Sequence, residues 1–133
     1  MEKRSGTILL VEDDEDDYIL TRELLSEARA DRYQLKWATS FEGGLRALQE
    51  DRFEAVLVDY RLGPENGIDF MRQAVERGFP GPYILLTGQG SYDIDLAAMQ
   101  AGFADYIVKG EINPALLERA IRYAIERQRL LKE

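Results

Sequence analysis

Five short apolar runs of strand character alternate with stretches of helical periodicity along the whole chain, and that alternation limits the folds open to it. Ile8 to Val11, Gln34 to Ala38, Ala55 to Val58, Tyr83 to Leu86 and about Asp105 to Val108 read as strands. Between them, Asp16 to Ala28, Ser40 to Glu50, about Ile68 to Arg77 and Ile94 to Ala101 read as helices. Ser40 is placed to cap the second helix, and Asn113 followed by Pro114 to open a last one. LGPENG and the glycine and prolines from Gly78 to Pro82 punctuate the connections.

Five βα units in succession predict a parallel sheet covered by helices on both faces. With right-handed crossovers, the expected fold class is α/β: a doubly wound, flavodoxin-like (βα)5 domain with a five-stranded parallel sheet in the order 2-1-3-4-5. At 133 residues the chain is expected to be one domain spanning 1–133. Its last helix, about 114–133, carries Leu117, Ile121, Ala124, Gln128 and Leu131 at three-four spacing. Up to Ala124 that stripe fits packing on the sheet, and beyond it IERQRLLKE has the pattern of a coiled coil or linker.

Seventeen basic against 25 acidic residues, a net charge of −8, argue against nucleic acid or an anionic membrane as the main partner. No apolar stretch is long enough to span a bilayer, and the run after the basic start stops at Val11, so the expected location is the cytoplasm. The chain has no cysteine and no histidine. Thiolate chemistry, the commonest general base and the ligands favoured by softer metals are therefore missing. An oxygen-liganded ion such as Mg²⁺ is what the composition leaves.

The strands end in polar residues. The first runs into Glu12 and Asp13, the third into Asp59, the fourth into Thr87 and the fifth into Lys109. In open α/β sheets the carboxyl edge of the strands is where ligands bind. Taken singly, each residue has an ordinary explanation. The acidic run from Glu12 to Asp17 suits a helix N-terminus, Asp59 suits an Asx-turn, Thr87 suits a bond to a backbone carbonyl, and Lys109 suits a solvated surface. Taken together, they are costly. At about 4 Å and an effective dielectric of about 20, each carboxylate pair repels by roughly 4 kcal/mol. Such a site would hold a proton or a cation. A Mg²⁺ ion would screen Asp59 and admit a phosphoryl group. Asp59 would then act as carboxylate nucleophile, with Lys109 and Thr87 on the phosphoryl oxygens.

The segments ILLVEDD, VLVDYRLGPENG, ILLTG and DYIVKG, in this order at strand ends, resemble those of bacterial two-component response-regulator receiver domains from about Thr7 to about Arg127. The resemblance implies that Asp59 is the phosphoacceptor. It implies a Mg²⁺ site made of Glu12, Asp13, Asp59 and the main-chain carbonyl of Arg61, with Asp13 a direct ligand. Thr87 is implied as the switch hydroxyl, Lys109 as the phosphate-binding lysine and Tyr106 as the aromatic that changes rotamer. Arg61 and Gln89 flank the site and are expected to tune hydrolysis. Asp14 is read as a helix cap or a nearby charge. The chain departs from the family pattern at Gly63 and at Gly110, where proline is common; without proline a cis bond after Lys109 is not expected.

The expected function is that of a phosphoprotein in a phosphorelay, not an enzyme beyond its own phosphorylation and dephosphorylation. With no histidine of its own, the chain takes its phosphoryl group from a sensor histidine kinase or phosphotransfer protein. It passes the signal to a downstream output domain or protein through helix 4, strand 5 and helix 5. That face or the C-terminal helix is the expected surface for a homodimer, as in a module belonging to a larger regulator. The alternative is a receiver-like scaffold that works without phosphorylation. A haloacid-dehalogenase-type phosphatase would need a second aspartate where Arg61 stands. A nucleotide site would need a glycine-rich phosphate loop instead of an acidic one. An EF-hand over Asp13 to Leu24 would need glycine at Tyr18 and glutamate at Leu24.

Overall fold

In the computed structural model, which describes residues 6–28, 33–88 and 91–132, a parallel sheet is covered by helices on both faces. Its strands are β1 (Gly6–Val11), β2 (Tyr33–Ala38), β3 (Ala55–Asp59), β4 (Tyr83–Thr87) and β5 (Asp105–Val108). The helices are α1 (Glu15–Glu27), α2 (Phe41–Glu50), α3 (Gly67–Glu76), α4 (Tyr92–Ala101) and α5 (Pro114–Lys132). The spatial order is β2-β1-β3-β4-β5 and every pairing is parallel, as the alternating pattern predicts.

Period-two alternation divides the core. Leu9, Val11, Val56, Val58 and Leu85 face a cluster with Phe41, Leu45, Phe70, Met71 and Ala98, from α2, α3 and α4. Ile8, Leu10, Leu57, Ile84, Leu86 and Ile107 face the other way, onto Leu24 and Leu25 of α1 and Leu117 and Ile121 of α5. Strands buried on both faces are continuous apolar runs for this reason.

Helix starts follow the side chains that satisfy free N–H groups. Asp14 accepts from the Asp16 and Asp17 amides, at 2.8 and 3.3 Å, so α1 begins at Glu15, one residue earlier than its apolar periodicity shows. Ser40 accepts from Gly43 N at 2.9 Å and Asn113 from Leu116 N at 2.9 Å, so the caps of α2 and α5 stand where expected. Ser91 caps α4, which therefore starts at Tyr92, two residues before Ile94.

Between β3 and α3, Arg61 to Asn66 form a small antiparallel hairpin in which Arg61 pairs with Asn66 and Leu62 with Glu65. Gly63 at its tip has φ +66°, a conformation closed to proline, whose ring holds φ near about −65°. The departure from the family pattern at this position thus has a local geometric reason. Among the described residues Gly81–Pro82 is the one cis peptide bond, and Lys109–Gly110 opens a short 3₁₀ turn, Lys109–Glu111.

Burial of α5 extends slightly beyond the expected limit, to Ile125, with Gln128 half-buried. Leu130 and Leu131 are 70% and 77% exposed, so the apolar stripe leaves the sheet in the last two turns.

Candidate phosphoacceptor site

Strand register brings the polar ends together. Val11 lies opposite Val58, so Glu12 and Asp59 follow at the same level on neighbouring strands. Asp59 is opposite Leu86, and Thr87 opposite Val108, which puts Thr87 and Lys109 just beyond. Glu12, Asp13 and Asp59 each offer a carboxylate oxygen, and these oxygens all lie within 4.8 Å of one another. Glu12 and Asp59 are buried, whereas Asp13 is exposed at the mouth.

Lys109 closes the pocket. Its Nζ is 2.6 Å from Asp59 Oδ1, 3.1 Å from Glu12 Oε1 and 2.6 Å from Asp17 Oδ2. The arrangement is the compensation that buried like charges require. Asp59 Oδ2 also accepts from the Arg61 main-chain N–H at 3.2 Å, so the Asx-turn geometry and the charged pocket coexist in one residue. Thr87 Oγ1 is fully buried and has no hydrogen-bond partner among the described residues, an arrangement that costs about 1–3 kcal/mol. Tyr106 is half-buried against the cluster on the α2–α4 face. The Arg61 side chain is exposed, and Gln89 lies outside the described residues.

Backbone approach is close here. Gly67 N donates to Tyr60 O at 2.8 Å, and a Cβ on Gly67 would lie 2.5 Å from the Asp59 carbonyl oxygen. Glycine is what lets the start of α3 rest against the end of β3.

Burial raises the Glu12 carboxyl to about 7, helped by the charge of Asp59 and opposed by Lys109. Burial also raises Asp59, against the Lys109 hydrogen bond and charge and the Arg61 N–H. For Lys109 burial works to lower the pKa, but hydrogen bonds to Asp17 and Asp59 and the charges of Asp59 and Glu12 outweigh it, and the net shift is upward. The pocket therefore tends to keep a proton on Glu12 near neutrality while the ammonium stays charged.

Two contributors are not visible in the strand-end pattern. Asp17 lies in the first turn of α1, where an acid is explained by the helix dipole alone. Its reach to Lys109, 92 residues away, depends on α1 packing against α5. Trp37, on β2, donates its indole N–H to the Glu12 carbonyl at 2.6 Å and stacks on Tyr18 with ring centroids 4.2 Å apart. Arg22 lies over the other side of that pair, 5.3 Å from the Tyr18 centroid. Trp37 thus ties the β1–α1 turn to the edge strand. Replacing it by phenylalanine keeps most of the stack and leaves the Glu12 carbonyl without its indole donor. The expected result is a stability loss of about 1 kcal/mol, measured by denaturant unfolding.

The oxygen-only donor set, the crowded carboxylates and the unpartnered Thr87 hydroxyl fit a hard divalent cation with a phosphoryl group beside it. Comparison with known proteins shows the family. The chain matches the response regulator receiver domain over residues 8–122, and it belongs to that family, whose members are signalling domains of two-component systems. It is 33% identical over 130 residues to the methanogenesis regulatory protein FilR1 of Methanothrix harundinacea, covering 94% of this chain and 28% of that protein. It is 34% identical over 122 residues to the transcriptional regulatory protein AfsQ1 of Streptomyces coelicolor, covering 91% of this chain and 52% of the relative. The chain therefore spans about a quarter and about half of the length of these two relatives. A CheY-like receiver domain from Methanospirillum hungatei superposes with a TM-score of 0.80 at 25% identity, over 93% of this chain and 96% of the other. No helix among the described residues is long and apolar enough to cross a membrane.

Proposed function

We propose that Asp59 is the phosphoacceptor and that the domain switches an output surface when it is phosphorylated. The observation that carries this reading is the placement of a buried carboxylate between a lysine ammonium at 2.6 Å and a cluster of two further carboxylates. Glu12, Asp13, Asp59 and the Arg61 carbonyl would hold Mg²⁺. Bound there, the ion supplies charge neutralisation for the incoming phosphoryl oxygens.

The remaining steps belong to the chain. An Asp59 carboxylate oxygen attacks the phosphorus of a donor phosphohistidine. The new P–O bond forms as the P–N bond breaks, and the imidazole leaves with the electron pair. Lys109 stabilises charge on the transferred group. Thr87 turns its unpartnered hydroxyl toward a phosphoryl oxygen. Tyr106 then follows into the space beside β4, which changes the face made by α4, β5 and α5. Moving such an equilibrium from mostly off to mostly on takes about 5.5 kcal/mol, and two or three charge-assisted hydrogen bonds supply much of it. Water attack on the same phosphorus breaks the P–O bond to Asp59 and releases inorganic phosphate, which returns the free carboxylate. Arg61 at the rim and Gln89 tune that step.

The donor is a sensor histidine kinase or phosphotransfer protein, and the receiver of the signal is an output domain or partner protein. The longer relatives support the output, since both are named as regulators. The exposed Leu130 and Leu131 support continuation of α5 into a coiled coil, the route by which an output or a second copy joins. Incubation with acetyl phosphate and Mg²⁺ tests the acceptor chemistry. A mass gain of one phosphoryl group, abolished by chelation, is expected; an unchanged mass overturns the proposal.

A further inference from the structure

The Lys109 ammonium has three N–H groups and three carboxylate neighbours, Glu12, Asp17 and Asp59. Two of these belong to the cluster of oxygens suited to a divalent cation, and Asp17 does not. A cation drawing on Glu12 and Asp59 would weaken their hold on Lys109 and repel its positive charge. Of the three, only Asp17 would then continue to hold the ammonium in the pocket. The Asp17 carboxylate is well placed for this. Its backbone N–H is fixed by the Asp14 cap at 3.3 Å, and its carbonyl accepts from Thr21 Oγ1 at 2.9 Å. The next residue, Tyr18, is locked in the Trp37 stack.

We infer that Asp17 is a positioning residue for phosphoryl transfer, which keeps Lys109 over Asp59 when the acidic pocket is occupied. The inference rests on Asp59 being the acceptor. Asp17 touches neither the phosphoryl group nor the cation and acts through Lys109 alone. It also holds α1 to the end of β5, so the lysine does not depend on the flexibility of its own stem.

The test compares wild type, Asp17→Ala and Asp17→Asn in acetyl phosphate with saturating Mg²⁺, following phosphorylation by intact mass. Loss of one charge-assisted hydrogen bond predicts about a tenfold slower rate for alanine. Asparagine keeps an acceptor oxygen at the same reach and is expected to recover most of that rate. Calorimetric Mg²⁺ titration of each unphosphorylated variant provides a second readout, and the affinity is expected to change little. Thermal unfolding checks that each variant is folded. An alanine variant as fast as wild type overturns the inference while leaving the acceptor assignment standing. So does an asparagine variant as slow as alanine, or a Mg²⁺ affinity that falls in step with the rate. Failure of wild type itself to gain mass overturns both.

Discussion

Asp59→Asn is expected to take up no phosphoryl group from acetyl phosphate, while folding as wild type does. The amide is nearly isosteric and still offers one oxygen, to the Arg61 N–H or to Lys109, where the carboxylate gives Oδ2 to the first at 3.2 Å and Oδ1 to the second at 2.6 Å. It lacks the anionic oxygen proposed to attack phosphorus, and among the described residues no other carboxylate lies between Lys109 and the Arg61 N–H. Labelling should fall below detection by intact mass. Stability should not fall with it, because burial already disfavours the ionised form of Asp59. The neutral amide removes one source of that cost, and Lys109 keeps Glu12 and Asp17 as partners. A labelled Asp59→Asn protein would show that the phosphoryl group goes elsewhere, and an unfolded one would show that Asp59 is needed for the fold.

The second large effect is in pH. The Glu12 carboxyl moves from 4.5 to about 7 on folding, chiefly through burial. Between these values the folded chain binds more protons than the unfolded one, so stability falls as pH rises through the window and levels off above about 7. The shift corresponds to about 3 kcal/mol, or roughly 10 °C in melting temperature for a domain of this size. Asp59, raised in the same direction, adds to the slope. A salt-bridged carboxylate with a depressed pKa would give the opposite trend. A Mg²⁺ ion held as proposed would compete with that proton, so its stabilising effect should be small near pH 5.5 and large near pH 8. Thermal melts in chelator and in Mg²⁺ across this range measure both. A metal-free protein that gains stability from pH 5 to pH 7 would contradict the assigned electrostatics.

Both predictions depend on groups whose residue types stand out at strand ends, and much of the fold was legible in the same way. Strand, helix and cap follow from periodicity and from side chains that satisfy their own neighbourhood. Ser40, Asn113 and Pro114 mark their helices from within a few residues. The errors at element starts are local as well. Asp14 and Ser91 cap α1 and α4 ahead of their apolar periodicity, because a cap needs only a nearby free N–H. The Arg61–Asn66 hairpin was unread because its arms are two residues each, too short to show alternation.

Sequence alone determined the doubly wound order and the identity of the acidic, hydroxyl and basic groups at one sheet edge, since period and strand-end chemistry are properties of contiguous residues. Tertiary structure decided which charges meet. Asp17 reaches Lys109, and the Trp37 indole reaches the Glu12 carbonyl, only after α1 has packed against α5 and β2 has paired with β1. These contacts join residues 92 and 25 positions apart. At such separations local pattern carries no signal, and distance is set by how helices and strands stack.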